Sequence, residues 1–267
     1  MSESEVLVTG GTGSLGRRVV DRLRDTGRKV RVISRSGRPG TIRGDLLTGE
    51  GLEEAVEGVN IIVHCASSPR KTRQIDVEGT ERLLRAAARS GVSHFVFISI
   101  VGVDRNPYFP YYRMKLEAER IVERSPVPWT ILRATQFHEF MLRIIQFLDR
   151  IPLMMMPKGF LFQPIDVGEV ADHLVELALA TPARRVPDVG GPEVQTAVEL
   201  ARTYLQVTGR QWRILELPLP GEFARALREG AQVCPERAYG EIRWKEFLRK
   251  TLDPATTQVT SAYDQAD

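Results

Sequence analysis

Eight residues near the start of the chain, Thr9-Gly10-Gly11-Thr12-Gly13-Ser14-Leu15-Gly16, follow an apolar β-branched run and open a helical pattern. They satisfy Gly-x-Gly-x-x-Gly from Gly11 and Gly-x-x-Gly-x-x-Gly from Gly10. Glycine serves three ends in such a bend. It adopts backbone angles that a side chain forbids, lets a pyrophosphate approach the main chain, and allows helix and strand to pack closely. The N–H groups of Thr12, Gly13, Ser14 and Leu15 then face a phosphate at a helix start, where the dipole favours negative charge. The bland alternative is a tight turn without a ligand. The first βα turn of a βαβ unit is the context that makes dinucleotide binding the expectation.

The charge behind this loop bears on which dinucleotide. The second β pattern ends Val32-Ile33-Ser34-Arg35-Ser36, with Arg38 close by. A site for NAD(H) carries an acid near this position to take the ribose hydroxyls, whereas an arginine pairs with a phosphate. Ser34 and Arg35 therefore point to NADP(H) ahead of NAD(H), the alternative being an exposed loop arginine. In Gly44-Asp45-Leu46, after a short third strand, the Asp45 carboxylate either meets an adenine amino group or serves a plain turn. Further on, Tyr111 and Lys115 stand four residues apart in a helical pattern, which puts both on one face. Pro110 just before them suits the first turn of that helix.

Short β-branched runs alternate with helical patterns through the first half. Strands are predicted at Glu5 to Thr9, Lys29 to Ser34, Thr41 to Arg43, Asn60 to Cys65, His94 to Ser99 and Trp129 to Arg133. Helices are predicted at Ser14 to Asp25, Gly51 to Glu57, Val77 to Ser90 and Tyr111 to Ser125. Such alternation implies right-handed crossovers and a parallel sheet covered on both faces, an α/β doubly wound architecture. Beyond residue 134 helices are expected at Glu139 to Leu148, Asp166 to Ala180, Thr196 to Thr208 and Gly221 to Gly230, with a short strand at Val186 to Val189. The expected organisation is a nucleotide-binding core over 1–135, a smaller C-terminal substrate lobe over 136–252 that interleaves with it and closes over the nicotinamide end, and a disordered polar tail over 253–267.

Composition bounds the function. The chain has 267 residues, 42% hydrophobic and 27% charged, which is enough apolar material to fold. No apolar run approaches the ~20 residues of a membrane helix, and the polar start, Met1 to Glu5, is no signal peptide. The charges, 37 basic against 34 acidic, are interspersed, which argues against nucleic acid as a partner. Only six of the basic residues are lysines, so Lys115 is a residue type this chain uses sparingly. Two distant cysteines, Cys65 and Cys234, support neither a disulfide framework nor a zinc site, and a reducing cytoplasm is the expected compartment.

Taken together these residues resemble the short-chain dehydrogenase/reductase superfamily, and more narrowly its atypical, NmrA-like branch, from about residue 4 to 250. Beyond the glycine loop the resemblance rests on four segments. Ile62-Val63-His64-Cys65-Ala66-Ser67 is similar to the family's strand-four segment, which implies that Ala66 and Ser67 lie beside the cofactor. Asp76-Val77-Glu78-Gly79-Thr80 matches the start of the next helix, where the family more usually has Asn than Asp. Tyr111-Tyr112-Arg113-Met114-Lys115 carries the Tyr-x-x-x-Lys pair. Leu132-Arg133-Ala134-Thr135-Gln136-Phe137 looks like the loop that abuts the nicotinamide. The resemblance implies that Lys115 binds the nicotinamide ribose and lowers the pKa of Tyr111, and that Tyr111 gives a proton to a carbonyl as hydride arrives.

One position departs from that pattern. Reductases of the family have Ser or Thr after the fifth strand, and this chain has Ile100 there, with Ser99 one residue early. Successive strand side chains point to opposite faces, so Ser99 substitutes as the catalytic hydroxyl only if the strand ends or bulges before it. The expected function is an NADP(H)-dependent oxidoreductase acting on a small apolar carbonyl, enone or quinone-like substrate, as a monomer or homodimer. The alternatives are an NmrA-like redox sensor that binds the dinucleotide without turning it over, and a sugar-nucleotide epimerase or dehydratase. His64 reads as a hydrogen-bonded strand-end residue. His138 and Glu139 lie in the substrate region. Leu153 to Phe162, with three consecutive methionines, reads as core, subunit contact or the wall of an apolar pocket. No cluster has metal spacing.

Overall fold

The computed structural model describes residues 5–150 and 152–252. The expectations for the leader before Glu5, for Ile151 and for the tail from Asp253 fall outside the described residues. The chain begins β1 (Glu5–Thr9), α1 (Ser14–Asp25), β2 (Lys29–Ser34), β3 (Ile42–Arg43), α2 (Leu52–Val56) and β4 (Ile61–His64). A π-helical turn over Arg73–Gly79 leads into α3 (Thr80–Ser90), β5 (His94–Ile100), α4 (Pro110–Arg124) and β6 (Trp129–Ala134). Then follow α5 (His138–Leu148), β7 (Leu153–Pro157), β8 (Leu161–Phe162), α6 (Val167–Leu179), β9 (Arg184–Arg185) and β10 (Gln195–Thr196). The described chain ends with α7 (Ala197–Thr208), β11 (Arg213–Leu217), α8 (Glu222–Arg228) and α9 (Trp244–Leu252).

These elements form two compact units. One runs to Ala134 and takes in Val167–Val189; the other comprises Thr135–Asp166 and the residues from Gly190 onward. The first unit is built on a seven-stranded sheet in the order β3-β2-β1-β4-β5-β6-β9. Every pairing is parallel. Strand order reverses at β1, which lies between β2 and β4. In such sheets the crevice at the carboxyl ends beside the reversal is where ligands bind. This is a Rossmann-type doubly wound sheet.

The strand sequences show why the sheet is central. Val6-Leu7-Val8, Ile62-Val63 and Phe95-Val96-Phe97 are continuous apolar runs, all buried. A strand covered on both faces has no polar side to alternate with. Leu7, Ile62, Phe95, Phe97 and Ile131 join a core with residues of α2, α3 and α4. The apolar stripe of α1, Leu15, Val19, Val20 and Leu23, is buried as well, and α6 packs against α1. The expected strand over Val186 to Val189 forms earlier, at Arg184–Arg185, with Val189 making only an isolated bridge to Ala134. The segment still follows β6, with the Val186 and Val189 N–H groups donating to the Ile131 and Arg133 carbonyls at 3.1 and 2.9 Å.

The second unit has its own core, in which Met141, Ile145, Met154, Met156, Tyr204, Trp244 and Leu248 are buried together. Parallel pairing of β7 with β11, and antiparallel pairing of β8 with β10, gives it two small sheets. Helix α7 starts with a complete capping box, Thr196 and Glu199 satisfying each other's backbone N–H groups. β11 and α9 answer to no sequence expectation. Buried Met154 and Met156 alternate along β7 with exposed Leu153 and Met155, so the methionine run divides between core and surface.

Candidate functional site

The glycine loop is held at the carboxyl end of β1. Gly10 has φ +66°, and a Cβ there would lie 2.8 Å from the Ala66 backbone. A Cβ on Gly16 would lie 2.1 Å from the Gly10 carbonyl oxygen. The Gly13 N–H donates to that same oxygen at 2.9 Å and closes the turn. Gly13 also occupies the N-cap of α1 without a side-chain cap, and the first turn of the helix has no acidic residue. Thr12 and Gly13 are exposed, while Leu15 and Gly16 are buried. A glycine-rich backbone turn thus ends at a helix start without a side-chain cap, an arrangement that fits a pyrophosphate.

Arg35 is exposed just past the end of β2. Ser34 is half-buried, and its hydroxyl lies 3.1 Å from that of Ser36. The turn role weighed for Asp45 is visible: its Oδ1 accepts the Leu47 N–H at 2.8 Å. Leu46 is buried in the core under α2 and α3.

Tyr111 lies in the first turn of α4, where Pro110 stands at the helix start. Its hydroxyl is 2.8 Å from the Ser67 hydroxyl. Ser67 in turn donates to Asp76 Oδ1 at 2.6 Å, and Asp76 Oδ2 accepts the Ser68 N–H at 2.9 Å. A serine has one proton, and the carboxylate takes it. Tyr111 is therefore the donor to Ser67. Lys115 Nζ stands 3.6 Å from Asp76 Oδ1, donates to the Ile98 carbonyl at 3.1 Å and lies over the Phe97 ring. Tyr111 and Lys115 are thus joined through Ser67 and Asp76.

Electrostatics follow from this packing. Burial pushes the Tyr111 phenol up to about 12, and the Asp76 charge adds to that shift. Burial lowers the Lys115 pKa, while Asp76 and Glu119 act to hold its proton. Burial pushes the Cys65 thiol up to about 12, with the Lys115 charge opposing.

A second chain supports the first from behind. Thr9 Oγ1 accepts the Ala66 N–H at 3.2 Å and lies 2.6 Å from His64 Nδ1. His64 Nε2 lies 2.9 Å from Thr80 Oγ1, which donates to the Asp76 carbonyl at 2.6 Å. Thr80 spends its one proton on the Asp76 carbonyl and so accepts from His64 Nε2–H, which leaves Nδ1 of the neutral ring to accept the Thr9 hydroxyl. Burial, reinforced by the Lys115 charge, drops the His64 pKa to about 3. These links tie the ends of β1 and β4 to the π-helical turn that carries Asp76.

Ser99 stands apart from this network. β5 continues through Ile100 and stays in register with β6 up to Ile100 opposite Ala134. The strand neither ends nor bulges at Ser99, so the condition under which it would replace the missing hydroxyl is unmet. The buried Ser99 Oγ has no hydrogen-bond partner among the described residues. The hydroxyl beside Tyr111 comes instead from Ser67, and the carboxylate behind it from Asp76. The sequence signal for this arrangement was the Asp where the family more usually has Asn.

Arg133, at the end of β6, is a structural ion. It is 3% exposed and grips Glu119 with two hydrogen bonds of 2.8 and 2.6 Å, with a third to Asp104 at 2.8 Å. Burial works against its charge, but these bonds hold the guanidinium pKa above the usual value. In the second unit His138 is fully buried, stacked on Phe247, with Nε2 3.0 Å from the Ile242 carbonyl. Among the described residues no group of three or more His, Cys, Asp or Glu could hold a metal ion, and no helix is long and apolar enough to cross a membrane.

Comparison with known proteins places these features. Residues 10–140 match a family model described as NAD(P)H-binding. Over 225 residues the chain is 31% identical to a (4-alkanoyl-5-oxo-2,5-dihydrofuran-3-yl)methyl phosphate reductase of Streptomyces griseus, spanning 79% of this chain and 77% of that protein. It is 26% identical over 271 residues to the photosystem II assembly factor Ycf39 of Trieres chinensis, spanning 93% of this chain and 85% of the relative. Among solved structures, the NADPH-dependent quinone oxidoreductase of Escherichia coli in complex with NADPH aligns with a TM-score of 0.78 at 17% identity, covering 93% of this chain and 100% of that one. At that identity the likeness shows the fold.

Proposed function

The chain belongs to the NAD(P)H-binding, NmrA-like branch of the short-chain dehydrogenase/reductase superfamily, and from that premise we propose that it reduces a small, flat, apolar carbonyl, enone or quinone-like molecule with NADPH. Gly10, Thr12, Gly13, Ser14, Leu15 and Gly16 would hold the pyrophosphate. Ser34 and Arg35 would take the ribose phosphate, Asp45 and Leu46 would border the adenine, and Ala66 and Ser67 would flank the nicotinamide half. When bound, the coenzyme supplies the hydride. Tyr111 supplies the proton, and Lys115 keeps positive charge beneath that end of the site.

The observation that carries this reading is the Tyr111 hydroxyl, hydrogen-bonded to Ser67 and backed by the buried Asp76–Lys115 pair, beside exposed aromatic rings. Tyr108 and Phe109 are both exposed just before α4, and the Phe109 ring centroid lies 6.1 Å from that of Tyr111. Aromatic faces next to a proton donor suit a flat, unsaturated substrate. Cys65 is a free thiol, in keeping with a reducing, cytoplasmic setting.

The test is NADPH oxidation by the purified protein across a panel of quinones, enones and aromatic carbonyls, alongside the Tyr111→Phe variant. Turnover that falls by ~100-fold or more in the variant, with NADPH affinity retained, supports the reading. Background rates throughout the panel sink it. A second reading, a dinucleotide-binding regulator or assembly factor without turnover, is favoured by the uninterrupted strand at Ile100 and by the relatives named as assembly factors. It predicts NADPH binding without oxidation.

A further inference from the structure

Helix α5 is apolar on both sides. Its inward residues Met141, Leu142 and Ile145 are buried in the core of the second unit. Its outward positions are Phe140, Arg143, Ile144, Gln146 and Phe147. Phe140 is 51% exposed, Ile144 37% and Phe147 63%. These three recur at i, i+4 and i+7, so they line one stripe of the helix. Helices α7 and α9 of the same unit do the reverse. The exposed positions of α7 are Glu199, Arg202 and Gln206, and α9 exposes Lys245, Glu246, Arg249 and Lys250. A helix with one face in water carries polar residues there, and a contiguous apolar stripe turned outward marks a surface that something else covers.

The charge beside the stripe says what covers it. Arg143 and Arg150 each follow a phenylalanine of the stripe by three residues and border it on one side. Arg143 Nε donates to the Glu139 carbonyl at 3.3 Å, and the Arg150 guanidinium lies 4.6 Å over the Phe147 ring. Neither has a carboxylate partner among the described residues. Of the two acids in the segment, Asp149 accepts the Tyr204 hydroxyl proton at 2.6 Å and pairs with Arg210, and Glu139 is half-buried with its Oε2 shielded from solvent. An arginine stacked on a ring covers it with its face and keeps its N–H edge for a phosphate.

We propose that α5 docks this protein on an anionic phospholipid surface. Phe140, Ile144 and Phe147 enter the boundary between headgroups and acyl chains, to a depth of ~5–10 Å, and Arg143 and Arg150 meet the headgroup phosphates. The contact is with the surface, since no helix among the described residues is long and apolar enough to cross. A second copy of the chain fits this face less well. A two-fold contact through the stripe brings Arg143 and Arg150 of both copies onto one patch, and α5 exposes no carboxylate to meet them. A protein partner would need an acidic groove shaped to three projecting side chains, whereas a fluid headgroup layer needs no such match. The docking goes beyond the reductase reading and does not depend on it.

The test is co-sedimentation of the full chain with mixed phosphatidylcholine–phosphatidylglycerol vesicles and with pure phosphatidylcholine vesicles. Binding to the anionic vesicles is expected, weaker by about tenfold or more on the neutral ones and in high salt. Phe140→Gln/Phe147→Gln should weaken it by ~10-fold or more. Arg143→Gln/Arg150→Gln should weaken it by ~10- to 30-fold on the anionic vesicles and leave the neutral ones unchanged. All four side chains are exposed, so unchanged melting temperatures show that these variants fold. Phe147→Trp reports depth: the emission it adds should shift to the blue and be quenched by phospholipids brominated on their acyl chains. Absence of the parent from the anionic vesicle pellet, equal sedimentation of the phenylalanine variant, or unquenched emission from position 147 overturns the proposal. So does a concentration-dependent dimer that the phenylalanine variant abolishes, which would give the stripe to a second copy. None of these readings requires NADPH oxidation, so a failed substrate screen leaves this test standing, and a failure here leaves the reductase reading untouched.

Discussion

The hydroxyl of Ser67 stands 2.8 Å from that of Tyr111, although 44 residues separate them. Ser67 lies in the loop that follows β4 and Tyr111 in the first turn of α4. The resemblance asks for a hydroxyl after the fifth strand, where Ile100 stands, and the buried Ser99 beside it has no hydrogen-bond partner among the described residues; the fourth strand's loop supplies the hydroxyl next to Tyr111 instead. What reaches Tyr111 is therefore a hydroxyl backed by a buried carboxylate. That coupling bears on the electrostatics of the whole site.

The glycine loop predicts an ordered pair of variants. In Gly16→Ala the new methyl would stand 2.1 Å from the Gly10 carbonyl oxygen, a backbone atom that cannot swing aside. In Gly13→Ala the closest approach is 3.3 Å. Gly16→Ala should cost ~1–3 kcal/mol of stability and at least about tenfold in NADPH affinity, and Gly13→Ala less stability. Calorimetry and thermal melting read both. The reverse order would mean that the loop is not held as described.

Arg35 governs coenzyme choice in the proposed site. It is exposed, so Arg35→Asp should leave the melting temperature unchanged. Losing a charge-assisted bond to a phosphate, worth ~1.5–3 kcal/mol, should weaken NADPH by roughly 10- to 100-fold and leave NADH equal or better. The ratio of the two dissociation constants is the measurement. An unchanged ratio removes Arg35 from the phosphate.

Arg133→Met strands a charge. Glu119 is 1% exposed and loses both of its hydrogen bonds. Breaking one side of a buried pair costs ~3–5 kcal/mol, seen as a lower urea midpoint. A midpoint that does not move would show the ion pair to be dispensable.

Acid should unfold the protein partly through His64. In the unfolded chain this histidine titrates near 6.5, and in the folded protein burial holds it at about 3. Between those values the unfolded state binds more protons. Stability is therefore complete above about 6.5 and drains as the pH falls through the window, by up to ~1.4 kcal/mol per pH unit for this group. His94 and His138 are also lowered, chiefly by burial, and share the slope. His64→Gln removes one titrating group, so urea midpoints taken between about pH 7 and 5 should fall less steeply than in the parent. An identical slope would assign the acid sensitivity elsewhere.

The sheet and its helices were legible in the sequence because their signals are local. Val6-Leu7-Val8 and Phe95-Val96-Phe97 announce strands buried on both faces, and Leu15, Val19 and Leu23 recur at helical spacing. The glycine loop is a contiguous run whose backbone demands can be read residue by residue, and Tyr111 and Lys115 share a helix face by arithmetic. β11 and α9 were not legible. β11 gains its identity from β7, sixty residues earlier in register, and Trp244 of α9 from the Leu200 carbonyl it donates to at 3.1 Å.

The same limit governs the site. Sequence alone determined that a phosphate cradle opens the chain and that a phenol and an ammonium share one helix, since both depend on neighbours a few bonds away. That β5 runs unbroken through Ser99, that Ser67 reaches Tyr111, and that a π-helical turn delivers Asp76 to Lys115 was decided only by the tertiary structure. Those contacts join residues from separate elements, and hydrogen-bond direction among them exists only once the fold has brought donor and acceptor within reach.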